Sequence, residues 1–219
     1  MTLGNLLIFG DSYSTYEGYI PEGYACYYIK DREEDSPHAR VRDVSLTWWW
    51  RLIEATGATL VENNSWSGST IGYTGYNGRD CSGDSSFLVR LEEKVESGFF
   101  KDNAVDTVIV FGGTNDSWSG APLGEIKYEG ITSEDLYCVL PAIGRLAARL
   151  CEVLPTARVI FLGNCGLKPE ITAAMQDACR RYGHTYVGLR EIDKKGGHPT
   201  ERGMEQIFRE ITEQLGDRQ

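Results

Sequence analysis

A chain of 219 residues is the size of one large domain and can bury a substantial core. Apolar residues make up 41% and charged residues 25%, ordinary values for a globular protein, and the net charge of −10 argues against nucleic acid and anionic membrane surfaces as partners. It favours a neutral or cationic small molecule instead.

No apolar run reaches the roughly 20 residues that span a bilayer. The first ten residues carry no basic segment and too short an apolar stretch for a secretory leader, so a cytoplasmic location is expected unless a leader has been removed. The six cysteines are far apart and form no CxxC pair, which fits free thiols better than a zinc site or a redox motif.

Taken in chain order, Leu6-Leu7-Ile8-Phe9 is a short apolar run closed by Gly10, as expected of a buried parallel strand. Residues 15–45 are irregular, rich in tyrosine and charge, and too long for a plain connector. Leu46 to Ala55 reads as a helix stopped by Gly57, and Ala58 to Val61 as the second strand. A polar Gly/Ser/Asn-rich loop spans 63–83, followed by a helix from Ser86 to Glu96. Thr107 to Phe111 is the clearest strand and runs into Gly112-Gly113. Helical spacing from Leu136 to Val153 predicts a long amphipathic helix opened by Thr132-Ser-Glu-Asp135. Arg158 to Leu162 is a fourth strand, Pro169 to Tyr182 a helix, Thr185 to Leu189 a fifth strand, and Thr200 to Leu215 the closing helix. This alternation predicts one α/β domain over residues 1–219, with a parallel sheet covered on both faces. Trp48-Trp49-Trp50 cannot all face inward on one helix, so at least one belongs to a pocket, a self-association contact (a homo-oligomer interface) or the surface.

Ligands of open α/β sheets bind beyond the carboxyl ends of the strands. The first strand ends in Gly10-Asp11-Ser12, where a serine opening the next helix could have its hydroxyl exposed and its N–H free; the competing reading is an ordinary helix cap. The second leads to Gly68, at which a backbone N–H can approach a substrate closely, or which serves only as a turn. The third ends in Gly113-Thr114-Asn115-Asp116, whose Asn amide can donate to an oxyanion or close a local turn. Before the last helix comes Gly196-Gly197-His198-Pro199, with the one histidine of three in a setting suited to a base near neutral pH. Four such segments at one sheet edge point to nucleophilic catalysis more than any one does alone.

The ordered set resembles the SGNH hydrolases, the GDSL-type lipase/acylhydrolase family, over Leu6 to about Ile207. The resemblance implies a flavodoxin-like three-layer α/β/α sandwich of about five parallel strands. It further implies a serine esterase with Ser12 as nucleophile and His198 as general base. The oxyanion hole would be the N–H of Ser12, the N–H of Gly68 and the side chain of Asn115. The family pattern has Asp three residues before the histidine, where this chain has Lys195; Asp193 is the nearest carboxylate. Either Asp193 folds back through the glycine pair to orient His198, or a backbone carbonyl does so in a Ser-His dyad. The expected substrate is a small-molecule ester with a short acyl group, such as acetyl on a carbohydrate. Thioesterase, lysophospholipase and a non-catalytic binding module of the same fold are the alternatives. No metal and no organic cofactor is implied.

Overall fold

The computed structural model describes residues 2–216. Strands β1 (Asn5–Gly10), β2 (Thr59–Ser65), β3 (Thr107–Phe111), β4 (Arg158–Gly163) and β5 (Thr185–Gly188) form one parallel sheet in the order β2-β1-β3-β4-β5. All five occur where the apolar runs predict them. Their buried side chains alternate between two faces, as the period of two requires. Leu6, Ile8, Ile109, Phe111, Ile160 and Leu162 face one core, with helices α1 (Trp48–Thr56) and α7 (Glu201–Gly216). Leu7, Phe9, Val108, Val110, Val159 and Phe161 face the other. That side is covered by α2 (Phe87–Glu96), α5 (Val139–Val153) and α6 (Pro169–Tyr182). The result is the three-layer sandwich.

Register brings the functional loops to one edge. Gly10 pairs with Ser65 on one side and Phe111 on the other, so the segments after β1, β2 and β3 leave the sheet at the same level. Two short helices, α3 (Phe99–Asp102) and α4 (Thr114–Trp118), flank β3.

Three expectations need correction. The helix predicted from Leu136 begins at Val139, because residues 134–137 form a separate 3-10 turn. Thr132 and Asp135 do cap reciprocally, with Thr132 N–H donating to Asp135 Oδ2 at 2.9 Å, but they cap that turn. A helix continuing through would place Pro141 in its interior, where a missing N–H and the ring clash are costly; starting at Val139 leaves it in the first turn. Second, Ser12 opens no helix: it lies in a turn, and the first α-helix begins at Trp48. Third, residues 194–199 are an antiparallel hairpin, β6 (Lys194–Lys195) and β7 (His198–Pro199), not a free loop. Gly196 (φ 57°) and Gly197 (φ 79°) are its two turn residues. A two-residue hairpin turn with both φ positive suits a Gly-Gly pair, so the glycines tighten this segment.

Of the three tryptophans, Trp48 and Trp49 are fully buried. Trp50 is half-buried, with Nε1 donating to Glu54 at 2.9 Å and its ring edge-on to exposed Tyr19. The irregular stretch 15–45 contributes Tyr16, Tyr28, Ala39 and Val41 to the core beside α1 and α7.

Arg90 of α2 is fully buried. Its guanidinium donates to the Gly10 carbonyl at 3.2 Å, Ser69 Oγ at 3.1 Å and Asn64 Oδ1 at 2.7 Å, with further bonds to the Asn64 and Ser85 carbonyls. It thereby ties the end of β1 to the loop after β2. Buried acceptors left without a donor cost about 1–3 kcal/mol each. Arg90→Met is expected to lower unfolding free energy by at least about 2 kcal/mol, read as a lower urea midpoint at unchanged slope. An unchanged midpoint would show that this cluster is not structural.

Candidate active site

The Ser12 hydroxyl lies 2.9 Å from His198 Nε2, across 186 positions of sequence. Ser12 sits in the turn directly after β1, where Ser14 N–H donates to the Asp11 carbonyl at 3.1 Å and the Thr15 hydroxyl to the Ser12 carbonyl at 3.0 Å. These bonds leave Ser12 3% exposed, with its own N–H unused by any described residue.

His198 is delivered by the β6–β7 hairpin, which two tyrosines anchor. Tyr13 donates to the Gly197 carbonyl at 2.6 Å and buried Tyr28 to the Pro199 carbonyl at 2.7 Å. Nδ1 of His198 lies 3.1 Å from the Gly196 carbonyl, so a proton on Nδ1 is donated there and Nε2 is left to accept from Ser12. The tautomer is thus set by main chain. Burial pushes the imidazole below its usual value; the Gly196 carbonyl opposes this, while His38, Arg32 and Lys194 push in the same direction as burial.

Asp193 is placed elsewhere. Its carboxylate accepts from the Thr200 hydroxyl, its carbonyl from Thr200 N–H at 3.0 Å, and the Thr200 hydroxyl oxygen accepts from Gly203 N–H at 3.2 Å. Asp193 therefore supports the N-terminal cap of α7. Lys195 is exposed and pairs with His198 across the hairpin.

The remaining predicted residues converge on the same edge. Gly68 is exposed at φ 84°, a left-handed conformation that a larger residue would strain, and its N–H is unused by described residues. Asn115 donates through Nδ2 to the Ser69 carbonyl at 2.9 Å and accepts through Oδ1 from Tyr76 at 2.9 Å. Since a carbonyl can only accept, this fixes which end of the amide is nitrogen, and one N–H of Nδ2 remains. Asp116 locks the two loops together by accepting from Ile71 N–H and Gly72 N–H.

Sequence reasoning missed Tyr27, whose ring stacks on His198 at 3.6 Å between centroids and 8° between planes. It also missed Tyr76, Arg90 and the loop-locking use of Asp116. Trp118 is 45% exposed with its ring 6.4 Å from that of His198. A second GDS triplet occurs at residues 83–85, in a turn where Asp84 pairs with Arg79.

Two fully buried carboxyls shape the electrostatics. Burial pushes Asp11 from 3.8 up to about 7, against a hydrogen bond from Tyr13 N–H, and Asp116 up to about 6. A carboxyl raised in the folded state contributes stability below its unfolded value that is lost as pH rises through the folded one. Wild-type stability should therefore fall between about pH 4 and 7 from these groups. Asp11→Asn removes one of them and should flatten the pH dependence of Tm over that window. Identical slopes for the two proteins would refute the assignment.

The profile of the GDSL-like Lipase/Acylhydrolase family matches residues 4–215. Among solved structures, a GDSL-like lipase from Bacteroides ovatus is 38% identical with a TM-score of 0.89, over 99% of this chain and 100% of that one. Another from Bacteroides uniformis is 39% identical with a TM-score of 0.88, over 98% and 96%. The acetyl xylan esterase Est2A from Butyrivibrio proteoclasticus shares the fold at 17% identity and a TM-score of 0.61, over 100% of this chain and 64% of that one. No curated protein matches the chain. The chain belongs to the GDSL-like lipase/acylhydrolase family and is an ester-hydrolysing enzyme.

Proposed function

We propose that the protein is a serine esterase that removes a small acyl group, acetyl in the first instance, from a carbohydrate through an acyl-enzyme. The observation that carries this reading is the 2.9 Å approach of His198 Nε2 to Ser12 Oγ, with Nδ1 turned to the Gly196 carbonyl. In the acylation step Ser12 Oγ bonds to the ester carbonyl carbon, and its proton passes to His198 Nε2. The carbonyl π pair moves to oxygen, where the N–H groups of Ser12 and Gly68 and the free N–H of Asn115 receive it. When the pair returns, the bond to the alcohol oxygen breaks and His198 gives its proton to that oxygen. Water then repeats the sequence on the acyl-serine, releasing the acid and restoring Ser12.

The carbohydrate half of the reading rests on the rim. Trp118 and Tyr76, 45% and 41% exposed, stand beside His198 and Asn115, and exposed aromatic faces suit the apolar faces of sugar rings. An acetyl xylan esterase with this fold supports the same substrate class.

Ser12→Ala should abolish both p-nitrophenyl acetate turnover and labelling by a fluorophosphonate probe, with the circular dichroism spectrum unchanged. Wild-type labelling in that variant would end the nucleophile assignment. Preference for acetylated xylo-oligosaccharides over long-chain p-nitrophenyl esters tests the substrate class, and the reverse preference would point to a lysophospholipase.

The dyad reading gives a separate expectation. Asp193→Asn should keep kcat within about twofold, whereas loss of a triad aspartate costs orders of magnitude. Asp193→Ala should lower Tm through the Thr200 cap and still leave kcat near normal. A hundredfold drop in kcat for both would make Asp193 the orienting group.

A further inference from the structure

We propose that Tyr27 is the positioning residue of this site: its ring face fixes the plane of the His198 imidazole and meets the positive charge that His198 gains when it takes the Ser12 proton. The inference rests on the Ser12–His198 reading above and concerns what stands in for a carboxylate beside that histidine.

The stacking geometry discriminates between charge states. Two neutral aromatic rings avoid direct face-to-face overlap, because their negative faces repel, and prefer offset or edge-to-face contacts with centroids 4.5–7 Å apart. Tyr27 and His198 are nearly parallel, at 8°, with centroids only 3.6 Å apart, so the two rings overlap over most of their faces. That overlap favours imidazolium over neutral imidazole, because the cation's charge sits over the electron-rich phenol face.

Among the described residues, no carboxylate beside the ring supplies that stabilisation. Gly196 offers a neutral carbonyl to Nδ1. The Asp193 carboxylate is held by Thr200, and Lys195 is the hairpin partner of His198. Arg32 lies 4.8 Å from the Tyr27 ring centroid, Lys194 5.4 Å from the Tyr13 ring centroid, and His38 stands edge-on to Tyr27 at 6.0 Å. Burial opposes a positive charge on His198, and the Arg32 and Lys194 cations oppose it too. The Tyr13 ring, 5.6 Å away and tilted by 58°, makes a contact common between neutral rings.

Tyr27 is itself held rigidly. Its N–H donates to the Thr15 hydroxyl at 3.0 Å, its phenol oxygen accepts from Ala39 N–H at 3.1 Å, and its carbonyl accepts from Arg32. Thr15 in turn donates to the Ser12 carbonyl, so the stacking ring is referenced to the nucleophile's own backbone.

The test is Tyr27→Leu, which keeps an apolar side chain against the ring but removes the π face, alongside Tyr27→Phe, which keeps the face and loses the hydroxyl. Tyr27→Leu should lower kcat about tenfold with KM little changed, and move the acidic limb of the kcat/KM–pH profile to lower pH by roughly half a unit or more. Tyr27→Phe should restore most of kcat and the wild-type limb. A folded Tyr27→Leu protein with wild-type kcat and limb overturns the proposal, as does a Phe variant as impaired as the Leu variant, which would assign the effect to the Ala39 hydrogen bond. If Tyr27→Leu does not fold, NMR of the unaltered protein decides. The His198 Hε1 resonance, identified by its loss in His198→Gln, should be shifted upfield by the stacked ring in both protonation states, and an unshifted resonance overturns the proposal. Failure of the underlying reading is distinguishable, since it would appear as turnover surviving Ser12→Ala.

Discussion

A single buried guanidinium connects the parts of the site that the sequence keeps apart. Arg90 is reached from α2, on the far side of the sheet from His198, and its donors end on Gly10, Asn64, Ser69 and Ser85. Gly10 precedes the turn that holds Ser12, and Ser69 follows Gly68, so the two backbone N–H groups nominated for the oxyanion are referenced to the same charged group. Burial without a carboxylate partner brings Arg90 down to about 10, and the charge is distributed over carbonyl and hydroxyl oxygens. These buried acceptors share the charge, the Gly10 carbonyl also accepting from Trp66 N–H at 3.1 Å, so cation and loops stabilise one another.

The same economy of partners continues through Asp116 and Asn115. Asp116 accepts two backbone N–H groups of the β2 loop, and Asn115 beside it is clamped between Ser69 and Tyr76. Each functional loop is thus fixed by side chains from the loop next to it. Such preorganisation matters for oxyanion stabilisation, because donors already aimed at the developing charge need no reorientation during the step. The open positions left by this network, at Ser12 N–H, Gly68 N–H and one N–H of Asn115, are the donors proposed above to receive the oxyanion.

How much of this the sequence revealed follows from the range of each interaction. The five strands and most helices were legible because apolar periodicity and stops such as Gly57 are local signals. Ser12, Gly68, Asn115 and His198 were legible because each follows a strand end or precedes a helix in a recognisable block. Arg90 was not: within the Ser86–Glu96 helix it reads as one more polar position, and only the tertiary fold turns it inward. Tyr27 was hidden among twelve tyrosines, in a stretch with no periodicity to read. The Gly196-Gly197 pair was visible but suggested freedom; two positive φ angles in a two-residue turn instead make it a constraint.

That constraint supports the proposed Ser-His dyad, in which the histidine has no side-chain carboxylate. A carboxylate partner does two separable things: it holds the ring in one tautomer and orientation, and it stabilises the imidazolium. Here the first task falls to the hairpin, whose turn carbonyl at Gly196 binds Nδ1 and whose position is fixed by Tyr13 and Tyr28. A carbonyl carries no net charge, so it orients without raising basicity as strongly as an anion would. The imidazole therefore stays below its ordinary value, under the influence of burial and nearby cations. A histidine of that kind is neutral and ready to accept a proton at lower pH than usual, at the cost of weaker proton affinity in the step itself. With Asp193 committed to the cap of α7, the carboxylate nearest in sequence secures the helix that follows the hairpin, and so acts on His198 only through the backbone that carries it.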